Sequence, residues 1–209
     1  MNNYEFVEPI NVGVLKTKLS KELYTKLLNE CLEAKNENEQ FSTGLTGSGV
    51  PNHFFLKHTQ NEFKEALSPL VNSYFKKYPE YLKSLNLLTA DVPMFIDTPW
   101  INLQKKYEYL PNHHHDGVLS YTVWIKIPYE LEEEKNYKKL KFENQKQYTF
   151  QFSYNDLLGT TKLWDLDISK NDEGTMLLFP SKLIHCVYPF YSSDEYRISI
   201  SGNIKLKAN

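Results

Sequence analysis

The chain is 209 residues long, enough to bury one sizeable core and short for two independent domains. Hydrophobic residues make up 41% and charged residues 24%, the balance of an ordinary globular protein, not a disordered or fibrous one. A formal net charge of -2 gives no general reason to expect nucleic acid or a membrane surface as partner, and no stretch approaches the roughly 18 apolar residues of a spanning helix.

The start, MNNYEFVEPI, has no basic residues leading into an apolar run, so no secretory signal is expected there. Ser20 fits a helix N-cap, with Glu22 in the first turn where the helix dipole favours a carboxylate. Leu23, Leu27 and Cys31, flanked by Tyr24, Leu28 and Leu32, then fall on one broad face. Residues 36–51 are polar, contain glycine and show no period, which predicts a long loop. His53 and His58 follow in the same polar region and are expected at the surface. Thr59 and Glu62 have the offset of a capping box, opening a helix with Phe63 and Leu67 inward. Ser68 and Pro69 fit a cap and first-turn proline that restart or kink it.

From about Phe95 the period changes. Segments 95–103, 121–127, 148–154, 162–168, 176–179 and 198–204 read as strands; Tyr148, Phe150 and Phe152, for instance, alternate with polar neighbours. The 15 Tyr and 12 Phe support β structure. Short strands separated by turn residues, with no strand–helix alternation, predict a sandwich or barrel. The chain is therefore expected to be a single domain over 1–209, with 1–94 as helical support and 95–209 as a β core. The acidic run Glu132 to Glu134 and the lysines after it are expected to form a solvated loop. Cys31 and Cys186 have neither metal-site nor disulfide spacing, which fits a reducing, cytoplasmic compartment.

Two segments carry chemistry. In NHHHDGVLSYTVWIKIP, residues one apart at a strand end point to the same side, so the run offers a metal pair in two registers: His113 with His115, or His114 with Asp116. Iron(II) oxygenases hold the metal by imidazole and carboxylate on one face, leaving the other open. In GTMLLFPSKLIHCVYPF, His185 supplies a third donor. Arg197 follows in DEYRISISGNI, on a strand where it alternates with Ile198. An inward-facing arginine is costly unless it meets an anion, and Ser199 lies on the same face; the alternative is a solvent-facing arginine paired with Asp194 or Glu195.

Four pieces of sequence, PWINLQKK, NHHHDGVLSYTVWIKIP, GTMLLFPSKLIHCVYP and YRISISGN, resemble the 2OG-Fe(II) oxygenases of marine bacteria and tailed phages. The resemblance implies a double-stranded β-helix, or jelly-roll, core. It also implies ferrous iron, 2-oxoglutarate as cosubstrate and molecular oxygen. It places the distal iron ligand on His185 and the cosubstrate anchor on Arg197. The group's His-x-His pattern falls on His113 and His115, while the wider superfamily's carboxylate keeps the His114 and Asp116 register open. Asn102, after the Trp of the first motif, is expected to line the site. Gly202 stands where an aromatic is more usual. Tyr107, Tyr121 and Trp124 are candidates for an aromatic wall or for core. The implied activity is oxidation, typically hydroxylation, of a substrate whose class the residues do not specify; the 130–147 insertion is expected to shape it. Two other readings stay open: a three-histidine cupin-type dioxygenase that needs no 2-oxoglutarate, and a non-catalytic jelly-roll binding or phage structural module.

Overall fold

A computed structural model describes residues 5, 11–37, 52–85, 92–137 and 146–207. Strand β1 (Leu15–Lys18) leads into helix α1 (Lys21–Glu37). Ser20 caps this helix: its Oγ accepts from Leu23 N at 3.2 Å, satisfying an amide that a helix start leaves open. Leu23, Leu27, Cys31 and Ala34 bury one stripe at helical spacing, whereas Leu32, expected on the same face, points to solvent. The predicted 36–51 loop begins inside the last turn of α1, and its remainder lies outside the described residues.

Strand β2 (Asn52–Phe55) precedes helices α2 (Gln60–Lys77) and α3 (Pro79–Ser84). Two local expectations for α2, the capping box and a restart at Ser68, are not met. Thr59 occupies the N-cap position, but no capping box forms, because Thr59 N and Oγ1 donate instead to Glu30 at 2.8 and 2.6 Å. Glu62 pairs with Lys26 at 2.9 Å. The helix also does not restart at Ser68. It runs through Pro69, and Ser68 Oγ donates back to Lys64 O at 3.1 Å. Phe63, Leu67, Val71 and Tyr74 bury one continuous face across the proline, so packing outweighs the amide hydrogen bond lost there.

The predicted strand 95–103 is split by Pro99 and its neighbours into β3 (Met94–Ile96) and β4 (Trp100–Gln104). Then come β5 (Leu110–His113), β6 (Leu119–Lys126), α4 (Leu131–Lys135), β7 (Thr149–Asn155), β8 (Thr161–Asp167), β9 (Thr175–Pro180), β10 (Ile184–Val187) and β11 (Arg197–Leu206). Helix α4 replaces the expected acidic loop; Glu132 and Glu133 are solvent-exposed as expected, and the lysines after residue 137 lie outside the described residues until Lys146. Its Glu134 is fully buried, accepting from Tyr191 N at 2.7 Å and Ser192 N at 2.9 Å. Two orphan amides and a carboxylate thereby satisfy each other away from water.

The strands form two antiparallel sheets. The larger has the order β1-β9-β6-β11-β4-β2, with β3 also on β11; the smaller has the order β5-β10-β7-β8. This is the mainly β, double-stranded β-helix architecture with N-terminal helices. Strands β1 and β2 sit at the two ends of the larger sheet, so the first 94 residues contribute strands as well as support. Alternation along β6 and β11 divides their side chains. Leu119, Tyr121, Val123, Ile198, Ile200 and Ile204 pack with Leu23, Leu27 and Phe63 of the helices. Thr122, Trp124, Arg197, Ser199 and Ser201 face the smaller sheet, whose Phe150 and Phe152 close an aromatic second core with Trp124 and with Phe179 of β9.

Candidate metal centre

Strands β5 and β10 pair with His113 directly opposite His185. His115 follows just after β5, where its backbone N–H donates to Ser181 O at 2.9 Å. The ligand atoms of His113, His115 and His185 all lie within 4.8 Å of one another. Each of the two paired histidines is oriented by a carbonyl two residues before it. His113 Nδ1 is 2.7 Å from Pro111 O, and His185 Nδ1 is 2.9 Å from Leu183 O. A carbonyl only accepts, so both Nδ1 atoms carry the proton and both Nε2 atoms keep a lone pair for a metal.

The surroundings hold all three rings neutral. Burial lowers the pKa of His115 to about 4, and neighbouring histidines add to the effect. Burial likewise lowers His113 and takes His185 well below the ordinary imidazole range. Neutral imidazole is the form that binds metal. Phe150 stacks on His185 at 5.5 Å, Phe179 meets it edge-on at 5.1 Å, and Trp100 lies 5.8 Å from His115.

The other register does not assemble. His114 is exposed, and the Asp116 side chain is 93% exposed, 3.6 Å from Lys182 on the rim. Their side chains alternate away from the direction that faces His185.

A cavity of about 690 Å³ opens beside the three histidines. Asn102 and Ser199 line it, as does Ser201. Asn102 Nδ2 donates to Ser199 Oγ at 3.1 Å and to Ser201 Oγ at 3.0 Å, while its Oδ1 accepts from Trp100 Nε1 at 3.1 Å. Of the three aromatic candidates, Tyr121 and Trp124 serve as core, the alternative expected for them. Tyr107 is 55% exposed, Trp124 belongs to the second core, and Tyr121 packs on Phe63 at 5.5 Å although it borders the cavity. Trp100, Phe150 and Phe179 supply the apolar lining instead.

His53 is the residue most misjudged from sequence. It is buried, not at the surface, and it lines the cavity opposite Asn102 on the neighbouring strand. Burial brings its pKa down to about 4. The clue is that His53 and Phe55 alternate with buried Phe54 and Leu56, a two-residue period too short to detect without knowing that β2 is a strand. His58 is exposed, as expected.

Arg197 is 3% exposed. Asp194 and Glu195 pair with Lys106 and Lys126, so the guanidinium is not part of a surface ion pair with them. Among the described residues no carboxylate lies within ion-pair distance of it. Its acceptors are Gln104 Oε1, Tyr129 Oη and Tyr188 O, all neutral. Gln104 lines the cavity, and Arg197 sits behind it. Three neutral imidazoles facing one another suit a borderline cation such as Fe(II). A buried guanidinium with only neutral acceptors suits an incoming anion. The residues present therefore fit both a ferrous ion and a 2-oxo diacid.

No described helix is long and apolar enough to cross a membrane.

The fold is shared with solved structures at low identity. A prolyl-4-hydroxylase from Pseudomonas putida is 13% identical with a TM-score of 0.60, covering 94% of both chains. A viral collagen prolyl hydroxylase from Paramecium Bursaria Chlorella virus-1, solved as a 2OG complex, is 13% identical with a TM-score of 0.53, covering 93% of this chain and 96% of its own. HygX from Streptomyces hygroscopicus, solved with nickel, 2-oxoglutarate and hygromycin B bound, is 9% identical with a TM-score of 0.55, covering 94% and 84%. No curated protein matches the chain. Residues 98–203, just over half of the 209, match the family described as "Putative 2OG-Fe(II) oxygenase". That span contains every member of the histidine cluster and Arg197, and the chain belongs to the 2OG-Fe(II) oxygenase family.

Proposed function

We propose that this protein is an iron(II)- and 2-oxoglutarate-dependent hydroxylase. His113, His115 and His185 hold the metal through Nε2. Arg197 receives the distal carboxylate of 2-oxoglutarate, with Ser199 and Asn102 lining the path between them. One observation carries the reading: three neutral, mutually facing histidines border a cavity, and behind its Gln104 lies a buried guanidinium with no carboxylate within ion-pair distance among the described residues. Family membership implies ferrous iron and 2-oxoglutarate. When bound, they couple O2 and the loss of CO2 from the 2-oxo acid to oxidation of a substrate C–H bond, leaving succinate. The chain's own part is positional. The Pro111 and Leu183 carbonyls lock two ligand rings in one tautomer, and Phe150, Phe179 and Trp100 keep water from the metal's surroundings. The hydroxylase outcome is favoured by the prolyl hydroxylases among the structures that share the fold.

The deciding experiment is anaerobic titration of the full chain with ferrous iron and then 2-oxoglutarate. A weak visible charge-transfer band is expected only when both are present, and succinate release on admitting air. His185→Ala should abolish both. A second reading, a three-histidine dioxygenase independent of 2-oxoglutarate, is favoured by the lack of a carboxylate in the donor set. Metal-dependent oxidation indifferent to 2-oxoglutarate would select it.

A further inference from the structure

A guanidinium offers five N–H donors. In Arg197, Nε and Nη2 both donate to one atom, Gln104 Oε1, at 3.0 and 2.6 Å. Nη2 also donates to Tyr188 O at 2.6 Å, and Nη1 donates to Tyr129 Oη at 3.2 Å. The Phe190 ring covers the group, with its centroid 5.4 Å away. The flat Nε–Nη2 edge is one that a carboxylate grips with two oxygens. Here a neutral amide oxygen occupies it.

The contacts around Arg197 differ in how freely they can change. Tyr188 contributes a backbone carbonyl, and Tyr129 Oη is itself tied to Ile168 O at 3.0 Å. Gln104 is a long side chain with three rotatable torsions. Its Nε2 is held by Glu108 O at 2.6 Å, and it stands between the guanidinium and the cavity. It is the one partner that can withdraw while Arg197 stays in place.

We propose that Gln104 is a displaceable stand-in for the distal carboxylate of the cosubstrate. Its Oε1 keeps the buried guanidinium paired while the cavity is empty, and the incoming carboxylate replaces it. This rests on the reading of Arg197 as the carboxylate anchor. It adds a specificity rule. A carboxylate forms charge-assisted hydrogen bonds about twice as strong as those of an amide, so a 2-oxo diacid wins the exchange. A 2-oxo monoacid has nothing to exchange and leaves Gln104 in place. Gln104 thus sets the threshold that the second carboxylate must cross.

The test is anaerobic calorimetry on the full, iron-loaded chain with 2-oxoglutarate and with 2-oxobutanoate, which lacks the distal carboxylate. Gln104→Met keeps the length and removes the acceptor. It should tighten 2-oxoglutarate binding by about 3- to 10-fold and leave 2-oxobutanoate unchanged. Gln104→Glu puts a charged competitor on the same edge and should weaken 2-oxoglutarate roughly 30- to 100-fold, again without effect on 2-oxobutanoate. Wild-type affinity in Gln104→Glu overturns the proposal. So does weakening in Gln104→Met, which would make Gln104 a direct ligand of the cosubstrate. If Gln104→Glu does not fold, Gln104→Met decides alone. Arg197→Met tests the underlying reading separately: undiminished 2-oxoglutarate affinity in that variant removes the anchor itself, whatever the Gln104 variants show.

Discussion

Gly202 on β11 lies directly opposite Tyr121 on β6, and the tyrosine ring lies over it. A Cβ built on Gly202 would stand 2.1 Å from Tyr121 Oη, 2.5 Å from Cζ and 3.0 Å from Cε1. Tyr121 is 1% exposed and packs on Phe63 at 5.5 Å, so the ring has little room to retreat. Gly202→Ala therefore overpacks the helix-side core, a class of change that costs about 1–3 kcal/mol. For a chain of this size that is a fall in Tm of roughly 2–4 °C per kcal/mol. The assay is a double-mutant cycle by urea unfolding. Tyr121→Phe removes only the Oη contact and should rescue Gly202→Ala in part. Tyr121→Leu removes all three contacts and should rescue it further, with a coupling energy above about 1 kcal/mol. Strictly additive losses would refute the account, because the alanine methyl would then be clashing with something else. Tyr121 Oη also has no hydrogen-bond partner among the described residues. Tyr121→Phe alone should accordingly be neutral or stabilising by about 1 kcal/mol.

Three further outcomes are expected. The pKa of His53 is lowered by burial from 6.5 to about 4, so the unfolded chain binds this proton first as pH falls. Stability is full above pH 6.5 and declines towards pH 4, by about 2 kcal/mol at pH 5 from this residue. Urea unfolding at pH 7.5 and pH 5 should show His53→Gln losing about that much less than wild type; an equal loss would contradict it. Glu134→Gln replaces a carboxylate that accepts from Tyr191 N and Ser192 N, and should lower stability by about 1.5–3 kcal/mol in the same assay. Saturation with a divalent metal at about 100 times its Kd should stabilise the chain by about 2.7 kcal/mol. In a thermal melt, chelator should reverse that gain and His185→Ala should abolish it.

Much of the fold and the candidate site is legible along the chain because neighbouring residues encode it. The stripe Leu23, Leu27 and Cys31 announces α1, and the alternation Phe150, Phe152 announces β7. The runs NHHHD and RISISGN mark the segments that border the cavity. What pairs across seventy residues is not written locally. Strands β2, β5 and β10 are four residues each, too short to show a period, and they exist because a partner strand supplies their hydrogen bonds. The β5–β10 pairing sets His113 and His115, not His114 and Asp116, towards His185. The β2–β4 pairing brings His53 into the cavity. Pro69 inside α2 and Gln104 on the edge of Arg197 follow the same logic. A side chain's type and spacing are local properties, but the face it presents and the group it meets depend on which distant strand lies beside it.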